Sequence, residues 1–125
     1  MKELEVLYQT ALDRKNNPQA GSYTTYLFEK GTQKILKKFA EESSEVVIAT
    51  LAQEKEDKIL EIADMLYHLT VLMVDQGITI EEVNAELEKR SQKTGNLKAE
   101  RKPIENLYAL QCAFFYCVVV VFLIN

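Results

Sequence analysis

Residues 32–77 read TQKILKKFAEESSEVVIATLAQEKEDKILEIADMLYHLTVLMVDQG, and this stretch decides the fold. Its apolar positions recur at helical spacing: Ile35, Leu36, Phe39, Val46, Val47 and Leu51 first, then Ile59, Ile62, Ala63, Leu66, Leu69 and Met73. The polar run 53–58, QEKEDK, separates one long helix from the next. Thr32 is placed to cap the first helix and Gly77 to end the second.

The same two helices carry five acids: Glu41, Glu42 and Glu45, then Glu61 and Asp64 sixteen residues later. At about 3.6 residues per turn, Glu42 and Glu45 share one helix face, as do Glu61 and Asp64, and Glu41 flanks the first pair. Like charges at that spacing repel and weaken a helix. These acids also sit in the most apolar helices of the body, where an unpaired carboxylate is costly to bury. A solvated acidic face would explain a lone ExxE; two such clusters in apolar surroundings point to a bound hard cation. Carboxylate oxygens suit Mg²⁺, which keeps several waters and is usually completed by substrate phosphates.

Outward from this stretch the pattern stays helical. Leu4, Leu7, Tyr8, Ala11 and Leu12 form an amphipathic stripe, and Asn16 to Gly21 reads as a loop. Ser22 is placed to cap a short helix through Leu27 and Phe28 that Gly31 stops. Thr79-Ile-Glu-Glu82 is a capping box opening a last helix through Val83 and Leu87. No strand alternation, internal repeat or Gly-rich phosphate loop occurs in the body. The expectation is an all-α bundle whose site lies between facing helices. It occupies residues 1–90, followed by a polar flexible segment 91–106 and an apolar tail 107–125.

A chain of 125 residues is one domain at most, and a helical body this small often completes its core by oligomerising. A net charge of −4 with scattered basic residues gives no reason to expect nucleic-acid binding. Cys112 and Cys117 both lie in the tail, so there is no disulfide framework, as in a reducing compartment. The opening MKELEVLYQTALDRK is charged and amphipathic, unlike a signal peptide.

The tail departs from all this. Leu107 to Ile124 carries no charge, and Lys98, Arg101 and Lys102 precede it. As a helix its eighteen residues would span about 27 Å, close to a bilayer core of about 30 Å. Membrane anchor, unselected terminus and packing element are the three readings, and an accessory tail irrelevant to catalysis is preferred over membrane contact. Its CVVVVFLI run is β-prone and uncharged, so deleting residues 108–125 should improve solubility and spare activity.

Ser22-Tyr-Thr-Thr-Tyr-Leu-Phe28, Gly31, Lys34-Ile-Leu-Lys-Lys38, Glu41-Glu42-Ser-Ser-Glu-Val-Val-Ile-Ala49 and Ala63-Asp-Met-Leu-Tyr-His68 closely resemble the phosphoribosyl-ATP pyrophosphatases. These enzymes of histidine biosynthesis belong to the MazG-like all-α nucleotide pyrophosphohydrolases. The resemblance runs from about Leu4 to Arg90. It implies Mg²⁺-dependent hydrolysis of phosphoribosyl-ATP to phosphoribosyl-AMP and pyrophosphate by a cytoplasmic homodimer. Glu42, Glu45, Glu61 and Asp64 match the superfamily's metal-ligand positions, and Glu41 the adjoining acid. The resemblance makes Glu41 and Glu45 the candidate catalytic carboxylates for an attacking water.

Lys34 and Lys38 share a face just before the acids and are candidate phosphate contacts, with Ser22 and Thr24 as candidate hydroxyl donors to phosphate or ribose. Tyr23 and Tyr26 are expected to pack rather than stack on a base. His68 falls on the acid face and is read as a supporting rather than catalytic residue, and Arg90 as exposed. The alternative within enzymes is a MazG-like house-cleaning pyrophosphatase of nucleoside triphosphates. Outside enzymes it is a helical module tethered through its tail.

Overall fold

The computed structural model of the chain describes residues 2–93; the readings of the apolar tail, and of most of the segment before it, lie outside the described residues. Five helices follow one another: α1 (Lys2–Asn16), α2 (Tyr23–Lys30), α3 (Thr32–Ala52), α4 (Lys55–Gln76) and α5 (Ile80–Ser91). There is no strand among the described residues, so the fold is all-α as the periodicity predicts. None of these helices is long and apolar enough to cross a membrane.

Most boundaries have a local cause. Ser22 Oγ accepts the Thr25 N–H at 3.2 Å and starts α2, and Gly31, at φ 83°, ends it. Gly77 closes α4 in the left-handed region at φ 68°, its N–H donating to the carbonyls of the last turn. The capping box before α5 is reciprocal: Thr79 N–H donates to Glu82 Oε2 at 2.8 Å, and Glu82 N–H to Thr79 Oγ1 at 3.1 Å. Thr32 is a correction. It is the first residue of α3, with Gly31 at the cap, and its hydroxyl crosses to Asp75 Oδ2 at 2.7 Å. The signal for a cap served a tertiary bond instead.

That bond ties the first turn of α3 to the last turn of α4, so the two long helices run antiparallel. The break between them is short: only Gln53 and Glu54 of the polar run lie outside helix. Helices α1 and α2 pack on one end of this pair and bury Tyr8, Ala11, Leu27, Ile35, Val71, Val74 and Ile80. From α1, Lys15 Nζ donates to the Val74 and Asp75 carbonyls at 3.0 and 3.2 Å, at the negative end of α4.

The opposite end of the pair is different. Val47, Ile48 and Leu51 on α3 and Ile59, Leu60 and Ile62 on α4 are 43–82% exposed. Their periodicity marks a buried face, yet nothing among the described residues covers it.

Candidate metal and nucleotide site

Between its core end and its exposed apolar end, the α3–α4 pair brings acids from both helices together. Antiparallel packing places Glu61 of α4 opposite Glu45 of α3. One carboxylate oxygen each from Glu42, Glu45 and Glu61 lies within 4.8 Å of the others. Asp64, one turn after Glu61, is exposed and its carboxylate is not in this group. Its main-chain carbonyl instead meets His68 Nδ1 at 2.9 Å.

The electrostatics of the cluster are uneven. Glu42 is 6% exposed, and burial alone would raise its pKa. The hydrogen bond from Lys38 Nζ, at 2.7 Å from Oε1, together with the hydrogen bond to Glu45 and the charges of Lys38 and His68, outweighs that and holds the Glu42 carboxyl below its ordinary value. Lys38 also reaches Glu41 Oε2 at 3.0 Å. Burial works against the Lys38 charge, but its two acid partners hold its pKa above the usual lysine value. Glu45 is pushed the other way, first by its hydrogen bond to Glu42, then by burial and the charges of Glu42 and Glu61.

Three carboxylates from two helices, one of them raised in pKa by the others, are a donor set that fits a small divalent cation. Hard oxygen donors at this separation suit Mg²⁺, and binding it would relieve the repulsion that raises Glu45.

A second group of side chains adjoins the acids. His68 is buried on α4; its Nδ1–H donates to the Asp64 carbonyl, and Nε2 stands 3.4 Å from the Tyr23 hydroxyl. Nδ1 is 3.9 Å from Glu42 Oε1, so His68 supports the acids from behind, as its place on the acid face suggested. Tyr67, which the sequence did not single out, hydrogen-bonds Thr24 Oγ1 at 2.7 Å and meets the His68 ring edge-on. Thr24 and Ser22 thus both hold α2 in place. Lys34, partly exposed one turn before Lys38, has no ion-pair partner among the described residues. Arg90 is exposed on α5 and pairs with Glu86 at 2.8 Å.

Tyr23 and Tyr26 pack on each other, and Tyr23 on Tyr67, yet they stay 47% and 38% exposed. Lys38 is already committed to two acids, a pairing its i, i+3 and i, i+4 spacing to Glu41 and Glu42 would have signalled.

The sequence profile of the family described as Phosphoribosyl-ATP pyrophosphohydrolase matches residues 4–91. The chain belongs to this family. The matched span takes in α3, α4 and every acid of the cluster. Relatives agree along nearly their whole length. A phosphoribosyl-ATP pyrophosphatase of Clostridium novyi is 50% identical over 104 residues, which is 83% of this chain and 94% of that protein. One of Clostridium acetobutylicum is 54% identical over the same shares. One of Streptococcus thermophilus is 52% identical over 101 residues, 81% of this chain and 96% of that relative. Membership of the family accounts for the acid pattern and for the all-α fold together.

Proposed function

We propose that the chain hydrolyses phosphoribosyl-ATP to phosphoribosyl-AMP and pyrophosphate, the second step of histidine biosynthesis, with Mg²⁺ and as a cytoplasmic homodimer. The observation that carries this reading is the convergence of Glu42, Glu45 and Glu61 in a chain about half identical to phosphoribosyl-ATP pyrophosphatases. Glu42, Glu45 and Glu61 would hold the metal, with Asp64, one turn along α4, as a fourth candidate ligand. Mg²⁺ held there would supply positive charge to offset that on the substrate phosphates and the leaving pyrophosphate.

The remaining work falls to the chain's own side chains. Glu41 and Glu45 flank the place from which water attacks the α-phosphorus in line. Either carboxylate is placed to take the proton of that water. Lys34 offers a cation to the phosphates, and Lys38 keeps Glu42 ionised. Ser22 accepts a backbone N–H, which leaves its own hydroxyl proton for a phosphate or ribose oxygen. Thr24 stands beside it at the start of α2. Residues 1–90 are the catalytic body in this reading.

The end of the helix pair left open among the described residues supports the homodimer. A second copy laid on Val47, Ile48, Leu51 and the facing α4 residues would bury an apolar face that water otherwise meets.

The test is pyrophosphate release by the full chain from phosphoribosyl-ATP, with Mg²⁺ and with EDTA, beside a panel of nucleoside triphosphates. Mg²⁺-dependent turnover of phosphoribosyl-ATP in preference to the panel is expected, falling at least about 100-fold in Glu42→Gln. Turnover confined to the triphosphates would overturn the substrate assignment and place the chain among the house-cleaning enzymes.

A further inference from the structure

Beside the acid cluster, on the far side of Tyr23, lies a cavity of about 570 Å³ that the reaction chemistry does not use. Its walls come from the loop before α2 and the first turns of that helix, chiefly Pro18, Gln19, Ser22, Tyr23, Tyr26 and Glu29. The volume suits a nucleoside-sized group. Its chemistry is unlike that of the acid site. Glu29 is the only charged residue in the lining, and Lys30 Nζ stands over one face of the Tyr26 ring, 5.8 Å from its centroid.

Aromatic surface dominates instead. Tyr23 and Tyr26 lie offset-stacked, centroids 5.9 Å apart at 23°, and Tyr67 continues the stack at 6.3 Å and 22° from Tyr23. Stacked tyrosines usually form part of a core, but Tyr23 and Tyr26 keep 47% and 38% of their surface open. The ring of Tyr23 is also held in place. Its hydroxyl donates to His68 Nε2, because Nδ1 already carries its proton toward the Asp64 carbonyl. Its place in the stack between Tyr26 and Tyr67 fixes the ring further and makes it a preorganised platform rather than a mobile surface residue.

We infer that Tyr23 and Tyr26 form the platform on which the substrate's purine base stacks, with the base in this cavity and Glu29 and Gln19 as acceptors for its exocyclic amino group. This deepens the reading above and rests on it. Tyr23 is the shared wall: its hydroxyl end stands by His68 and Glu42, and its ring lines the cavity. A nucleotide with its α-phosphate at the acids therefore lays its base one ribose away, on the tyrosines.

The experiment is calorimetric titration of the full chain with AMP in EDTA, comparing wild type, Tyr26→Leu, Tyr23→Leu and Tyr23→Phe. Losing a stacking ring should weaken AMP about tenfold in either leucine variant, while Tyr23→Phe, which keeps the ring, stays close to wild type. Ribose 5-phosphate, which has no base, should bind all four proteins alike. Matching KM increases for phosphoribosyl-ATP with kcat retained would support the same assignment. AMP affinities equal in all variants, ribose 5-phosphate following the tyrosine changes, or no AMP binding by the wild type would each overturn it. Because the titration needs no turnover, its result is separable from the pyrophosphate assay. Tyrosine-dependent AMP binding without hydrolysis would keep the platform and remove the proposed activity, and hydrolysis with tyrosine-independent binding would do the reverse.

Discussion

At Glu42 a nearly buried carboxylate keeps its charge because Lys38, one turn earlier on α3, reaches it at 2.7 Å. Removing the lysine leaves that charge without its partner, and Lys38→Met should cost about 2 kcal/mol in chemical denaturation. The double variant Lys38→Met/Glu42→Gln should recover part of the loss; equal destabilisation of single and double variants would contradict the pairing. Because the Glu42 pKa is depressed in the fold, the pair's contribution is complete above the unfolded carboxylate value of about 4.3 and disappears as pH falls through the folded value.

Glu45 has the opposite sign. Its raised pKa means the metal-free protein loses stability as pH climbs from the ordinary carboxylate value through the raised one. Glu45→Gln should therefore melt slightly higher than wild type at neutral pH in EDTA, and gain less than wild type when Mg²⁺ is added. Thermal melts with and without the metal read both effects. The candidacy of Glu42, Glu45 and Glu61 was legible from their spacing alone. The lysine that keeps Glu42 ionised is legible too, because its spacing to Glu41 and Glu42 suits an ion pair as well as a phosphate contact.

Among the elements, α2 shows how a short helix is held. Eight residues are too few to be stable alone, so α2 depends on its Ser22 cap, on Gly31 and on Leu27, which is fully buried. Leu27→Ala should cost about 3 kcal/mol, and it should loosen the Tyr23–His68 bond at the other end of the helix. The capping box of α5 predicts a smaller effect: Thr79→Ala should cost about 1 kcal/mol locally, read by amide exchange in the first turn of α5. A loss spread over α3 and α4 would mean that α5 is more than an appended helix. Most element boundaries followed from caps and glycines, because those residues act on neighbours in the chain. Thr32 misled because its hydroxyl had a stronger offer from Asp75, a residue on another helix.

In the whole molecule, the two ends of the α3–α4 pair carry different burdens. One end is covered by α1 and α2, and the other presents Leu51, 82% exposed, among five further large apolar side chains. If a second copy covers that end, Leu51→Asp should shift the sedimentation coefficient from dimer to monomer and remove the midpoint's dependence on protein concentration. An unchanged coefficient in a wild type that sediments as a monomer would remove the homodimer from the proposal. The sequence by itself determined the helical class, the five helices and the acids' membership of two facing surfaces, because period, caps and charge spacing act within a few residues. Packing between helices settled which acids converge and left Tyr23 and Tyr26 open beside a cavity. Those outcomes depend on the antiparallel packing of α3 on α4 and the seating of α2 across them, which bring together residues tens of positions apart.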